Sequence, residues 1–131
     1  MSQNIGISQF SDYPAGATPV SSSSGDVAAS SAVATLPAVA GKTNFISGLA
    51  ITGMGATAAG QALATLAGLL GGTMTLVVPA PAGATVGIAP LVLQFNPPLQ
   101  ASAVNTAITL TLPTLGAGNL HAAVSAWGYQ K

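Results

Sequence analysis

The sequence predicts an all-β protein, a jelly-roll-like β-sandwich of about eight strands with an extended N-terminal arm. Three observations carry that reading. Runs of alternating apolar and polar residues recur at short spacing, each closed by Gly, Pro or Asn, the pattern of sandwiches and barrels. About eight such runs fit two packed sheets of jelly-roll type. The 131 residues suffice for one domain with a core but not comfortably for two.

Residues 1–31 are read as the arm and 32–131 as the sandwich. The arm is rich in Ser, Gly, Ala and Asp, contains "SSSSGD", and carries Pro14 and Pro19. Such a segment cannot bury enough apolar surface to fold alone. Ile5, Phe10 and Tyr13 are spaced along it as candidate interface residues. The composition fits equally a disordered tail and an arm that orders against a partner.

In chain order, "SAVATL" is the first run and stops at Pro37. "NFISGLAIT" alternates, which predicts Phe45, Ser47, Leu49 and Ile51 on one side. "GATAAGQALATLAGLLGG" has helical propensity, but it lacks a polar outer face and is interrupted by glycines, so it is read as a strand. "TMTLVV" sets Met74, Leu76 and Val78 opposite Thr73, Thr75 and Val77. A short strand is expected near Thr85 to Ile88. "LVLQF" precedes the breaker Asn96-Pro97-Pro98. "AITLTL" sets Ile108, Leu110 and Leu112 against Thr109 and Thr111, and "LHAAVSAWGY" comes last.

The chemical inventory is sparse. "AVAGKTNFISG" contains Gly41-Lys42-Thr43, but a phosphate-binding loop needs a glycine five residues before Gly41, and that position is Leu36. The segment reads as a turn, with Gly41 supplying a permissive backbone and Lys42 a solvated tip. Gly53, Gly55 and Ala58 fit a relaxed dinucleotide fingerprint. Its acidic partner about twenty residues on is missing, because the last acid is Asp26. No nucleotide or other cofactor is therefore expected.

General acid–base work usually recruits His, Asp, Glu or Lys, and the domain offers only His121, Lys42 and Lys131, with His121 read as an ordinary strand or interface histidine. A Ser-His-acid triad would need Asp12 or Asp26, both in the arm. No catalytic residue is assigned and no enzyme is expected. Cysteine is absent and carboxylates number two, too few for a zinc or calcium site. Trp127 and Tyr129 share a strand face with His121, Ala123 and Ser125. They are read first as a packing pair, and otherwise as interface anchors.

Charge is the strongest compositional signal. Only Asp12, Asp26, Lys42 and Lys131 are charged, and none stands between Lys42 and Lys131; ordinary domains carry roughly a quarter. Zero formal net charge argues against nucleic acid and anionic membrane surfaces as partners. The uncharged window 58–78 is broken by Gly and Thr and lacks aromatic or basic anchors, so no membrane span is expected. The N-terminus shows no basic and apolar leader pattern, so no secretory signal is expected. Without charged edges or a net charge, a β-domain tends to associate, which fits a structural protein working in an assembly.

The runs "LPAVAGKTNFI", "PLVLQFNPPLQAS", "NTAI" and "LGAGNLHAAVSAWGY" are distinctive as a set. Across roughly Ala34 to Gln130 the chain resembles capsid cement, or decoration, proteins of tailed bacteriophages. That resemblance implies a jelly roll on the capsid surface of a virion, bound to the major capsid protein by shape and hydrophobic contact. It also implies a homo-oligomer, a dimer more readily than a trimer. It transfers no catalytic, cofactor or metal residues. The alternative is a tail-fibre, head-fibre or adhesin module with a receptor- or carbohydrate-binding face, for which Trp127 and Tyr129 are the available aromatics.

Overall fold

Each alternating run turns its apolar members to one side, and two such sides close on a shared core. The computed structural model describes residues 13–131. Its strands are β1 (Thr18–Ser23), β2 (Ala32–Leu36), β3 (Asn44–Met54), β4 (Gly60–Ala67), β5 (Met74–Ala80), β6 (Leu91–Gln100), β7 (Ile108–Leu112) and β8 (His121–Gln130). No helix occurs among the described residues.

One sheet has the order β1-β8-β3-β6 and the other β2-β7-β4-β5. The antiparallel pairs β1–β8, β2–β7, β3–β6 and β4–β5 are those of one long hairpin rolled upon itself. That is the jelly roll. Between the sheets lie fully buried Leu36, Leu49, Ile51, Leu66, Leu110 and Val124, among others. Ile108, Leu110 and Leu112 face inward as the alternation in "AITLTL" predicts, and Ala62, Ala64 and Leu66 do the same in β4. The Ala- and Leu-rich window is thus a strand, and 58–78 as a whole holds β4 and the first part of β5.

Two buried asparagines tie the ends of the roll. Asn44 Nδ2 donates to the carbonyls of Pro37 and Thr106, each at 2.9 Å, joining the 37–43 and 101–107 connections. At the other end, Asn119 Oδ1 accepts from Leu115 N–H at 3.1 Å, and the Asn119 carbonyl accepts from Ala29 N–H at 2.9 Å.

Four local expectations are corrected. The sandwich begins at β1, inside the 1–31 stretch assigned to the arm. An edge strand needs little apolar surface of its own. β1 pairs with β8 over its full length and turns Val20 toward the core. Second, 85–88 is not a strand. It makes an isolated bridge, Met54 to Gly87, after a turn in which Val86 N–H donates to Gly83 O at 3.1 Å. Third, β3 slips phase, because Ser47 is an extra residue between the Ile46–Gly128 and Gly48–Trp127 pairs. Ile46, Leu49 and Ile51 are buried, whereas Phe45 and Ser47 are only half-buried on the opposite side. Fourth, β6 does not stop at Phe95 but runs through Asn96-Pro97-Pro98, with a cis Asn96–Pro97 bond, to Gln100. It is an edge strand, where proline is tolerated.

The edges are protected, although not by charge. Pro19 sits in β1, Pro79 in β5, and Pro97 and Pro98 in β6, so three of the four edge strands are interrupted by at least one position without a backbone donor. The fourth, β2, has its Thr35 N–H donated to Ser22 Oγ of β1 at 3.1 Å. The sheet faces are the surfaces left open.

Candidate binding surface

The strand register builds a cleft on the outer face of the β1-β8-β3-β6 sheet. One cross-strand row runs Ser21, Trp127, Gly48, Gln94. Gly48 carries no side chain, and the Trp127 indole occupies the space above it. A Cβ there would stand 2.5 Å from Cζ2 and 2.8 Å from Nε1. Next along the sheet, between the Ile46–Leu99 and Gly48–Gln94 pairs, Ser47 alone faces Phe95, Asn96, Pro97 and Pro98. Both strands bulge at this level, and the register of the β3–β6 pair shifts across it. A cleft of about 430 Å³ results, lined by Ser47, Gln94, Phe95, Asn96, Pro98 and Trp127, with Tyr13 at its border. Bulges commonly mark places where a sheet re-aims side chains toward a ligand.

Beside the cleft the aromatics cluster. Tyr129 stacks on Phe45 with ring centroids 4.8 Å apart at 18°, and Tyr13 meets it edge-on at 5.9 Å and 80°. Cluster and cleft together involve Tyr13, Trp127 and Tyr129, three of the five residues singled out in the sequence. Ile5 and Phe10 lie outside the described residues. Tyr129 is buried beneath its neighbours, while Trp127 is half-buried and lines the cleft. Phe45, Ser47, Gln94 and Asn96 are not among the candidate site residues that the sequence singles out. The one available signal was the pair of prolines inside an apolar run, flanked by Gln94 and Asn96.

At the far end of the same sheet, His121 Nδ1 lies 2.7 Å from Asp26 Oδ2, both side chains more than half exposed. The histidine therefore has an acid beside it, contributed by the β1–β2 connection rather than by a free arm. The nearby hydroxyl of Thr52 donates to the carbonyl of Ala123 at 3.3 Å. Among the described residues no group of three or more His, Cys, Asp or Glu could hold a metal ion.

The two nucleotide-like motifs are also placed. Gly41 has φ of 76° in the β2–β3 turn, as expected. Lys42 is not a solvated tip: it is half-buried, and its Nζ donates to Thr18 Oγ1 at 3.2 Å. Gly53 lies near the end of β3 and Gly55 directly follows it, and the next element is strand β4 rather than a helix.

The second sheet presents a different surface. A row of Val33, Thr111, Thr65 and Thr75 crosses all four strands. Leu63 and Val77 pair beside it, 50% and 57% exposed. None of the eight strands contains Asp, Glu, Lys or Arg. No helix among the described residues is long and apolar enough to cross a membrane.

No family model, no curated protein and no solved structure matches this chain.

Proposed function

We propose that this chain is a structural virion protein, a capsid cement whose jelly roll adheres to the outside of a phage shell and reinforces the lattice of its major capsid protein. The observation that carries this reading is the absence of acidic and basic residues from all eight strands, combined with edges stopped by proline. Such a molecule does not extend its sheets and has no charges to steer it. It can adhere through broad, neutral faces such as the Val33–Thr111–Thr65–Thr75 row and the exposed Leu63–Val77 pair. Contact by shape and apolar burial, repeated over many symmetric copies, turns weak binding into durable binding. Uncharged copies can also crowd a lattice without mutual repulsion. In this role the chain is non-enzymatic and works as a homo-oligomer, with no nucleic-acid or membrane partner.

Quantifying the chain on intact particles, with gold labelling of its position, tests the proposal. A copy number in the hundreds spread over the shell supports cementing. A few copies at one vertex or on the tail overturn it in favour of the fibre or adhesin alternative. The N-terminal contribution is tested by removing residues 1–12. The cut has to stop short of β1, because a deletion to residue 30 would strip an edge strand from the sheet. Weaker capsid attachment by a truncated chain that still folds supports an anchoring arm, and unchanged decoration sinks it.

A further inference from the structure

We propose that the cleft between the β6 bulge and Trp127 binds a neutral saccharide. The inference rests on the cleft alone, and holds whether the chain sits on a shell or on a fibre.

Sequence and register together shape the site. The Ser47 bulge on β3 and the Phe95–Pro98 bulge on β6 open space at one level of an otherwise continuous sheet. Gly48 admits the Trp127 indole between β8 and Gln94. That places an aromatic ring, the usual platform for the C–H face of a sugar, beside three neutral polar side chains. Ser47, Gln94 and Asn96 each donate and accept hydrogen bonds, as a sugar hydroxyl does. Among the described residues their side chains form no hydrogen bond within the protein, so their polar capacity faces the cleft and solvent.

Charge and size narrow the ligand class. No Asp, Glu, Lys or Arg lines the cleft, and Lys42 is engaged with Thr18. A phosphate, sulfate or carboxylate would find no counter-charge there and would forfeit its charge-assisted bonds. A purely apolar ligand would leave two amides and a hydroxyl desolvated without partners. A volume of about 430 Å³ lies within the range of small-molecule sites, roughly 300–1,000 Å³, enough for a sugar unit or two. A proline-rich peptide could also stack on Trp127, but it would use few of the three hydrogen-bonding side chains.

The chain's single tryptophan is Trp127, so its emission reports on this cleft. The full chain is titrated with uncharged oligosaccharides built from hexoses, N-acetylhexosamines or pentoses, following emission and, in parallel, calorimetry. One class is expected to give a saturable change. Gln94→Ala and Asn96→Ala remove exposed side chains and leave the fold intact, as judged by an unchanged denaturant midpoint. Each is expected to weaken binding by about fivefold to tenfold, and Trp127→Ala should abolish it in calorimetry. The proposal is overturned if no uncharged saccharide binds by roughly 10 mM, the limit of weak affinity worth assigning. It is equally overturned if binding survives Gln94→Ala and Asn96→Ala unchanged, if only acidic or sulfated glycans bind, or if a proline-rich peptide binds where saccharides do not.

Discussion

Two glycines of the β3–β8 pair differ in what surrounds them, and the difference decides how each tolerates a methyl group. At Gly128 an added Cβ would press against the backbone carbonyl of Phe45 and stand 2.9 Å from Ile46 Cα. Backbone inside a hydrogen-bonded ladder cannot move aside cheaply. Gly128→Ala should therefore lower stability by about 1–3 kcal/mol, the usual range for overpacking. The denaturant midpoint should fall with an unchanged slope. At Gly48 the obstructing atoms belong to the Trp127 side chain, which can swing outward. Gly48→Ala should thus shift Trp127 emission toward the red at a smaller cost in stability. Unchanged emission would contradict the placement of the indole over Gly48.

At the scale of strands, alternation was readable wherever one face is buried and the ladder is regular. β5 and β7 turn the expected side chains inward, and β8 places Trp127 and Tyr129 on its outer face. Legibility ended where main-chain geometry, rather than side-chain polarity, sets the structure. β1 reads as part of a Ser-rich arm, not as a strand of the sandwich, because its pairing relies on backbone hydrogen bonds to β8, which composition does not encode. The Ser47 bulge reverses the phase of β3 halfway along without any special residue type. Asn96-Pro97-Pro98 reads as a stop, because proline cannot show from sequence that its strand lies at an edge. The candidate cleft arises from these last two features, so its aromatic was visible and its geometry was not. Edge protection by proline is itself testable. Pro79→Val would return a backbone donor to β5, beside exposed Val77, while leaving the inward side chains alone. Self-association should rise, read by light scattering or sedimentation over a concentration series; a strictly monodisperse variant would show that Pro79 plays no part in blocking the edge.

Across the whole molecule, the few charges among the described residues sit at the ends of the roll. Lys42 lies in the β2–β3 turn, and Lys131 follows β8, exchanging backbone hydrogen bonds with Thr43 at 2.8 and 3.1 Å. Asp26, with His121, occupies the opposite end, where the β1–β2 and β7–β8 connections meet. The Asp26–His121 contact is exposed, and pairs of that kind contribute about 0–1 kcal/mol. The core and both sheet faces are uncharged, so stability should depend on apolar burial and the hydrogen-bonded ladders. Sodium chloride screens charges over about 10 Å at 0.1 M, yet here it has little to screen. Raising it from roughly 0.05 to 0.5 M should hardly move the unfolding midpoint. Attachment to a capsid through the same neutral faces should be equally indifferent. Sulfate acts differently, since it strengthens apolar burial by exclusion from the surface, and it should raise both the midpoint and the strength of attachment. Parallel titrations with the two salts separate the mechanisms: attachment that collapses in sodium chloride would mean that the contacts are electrostatic after all, and the neutral-face account of adhesion would fail even with the jelly roll intact.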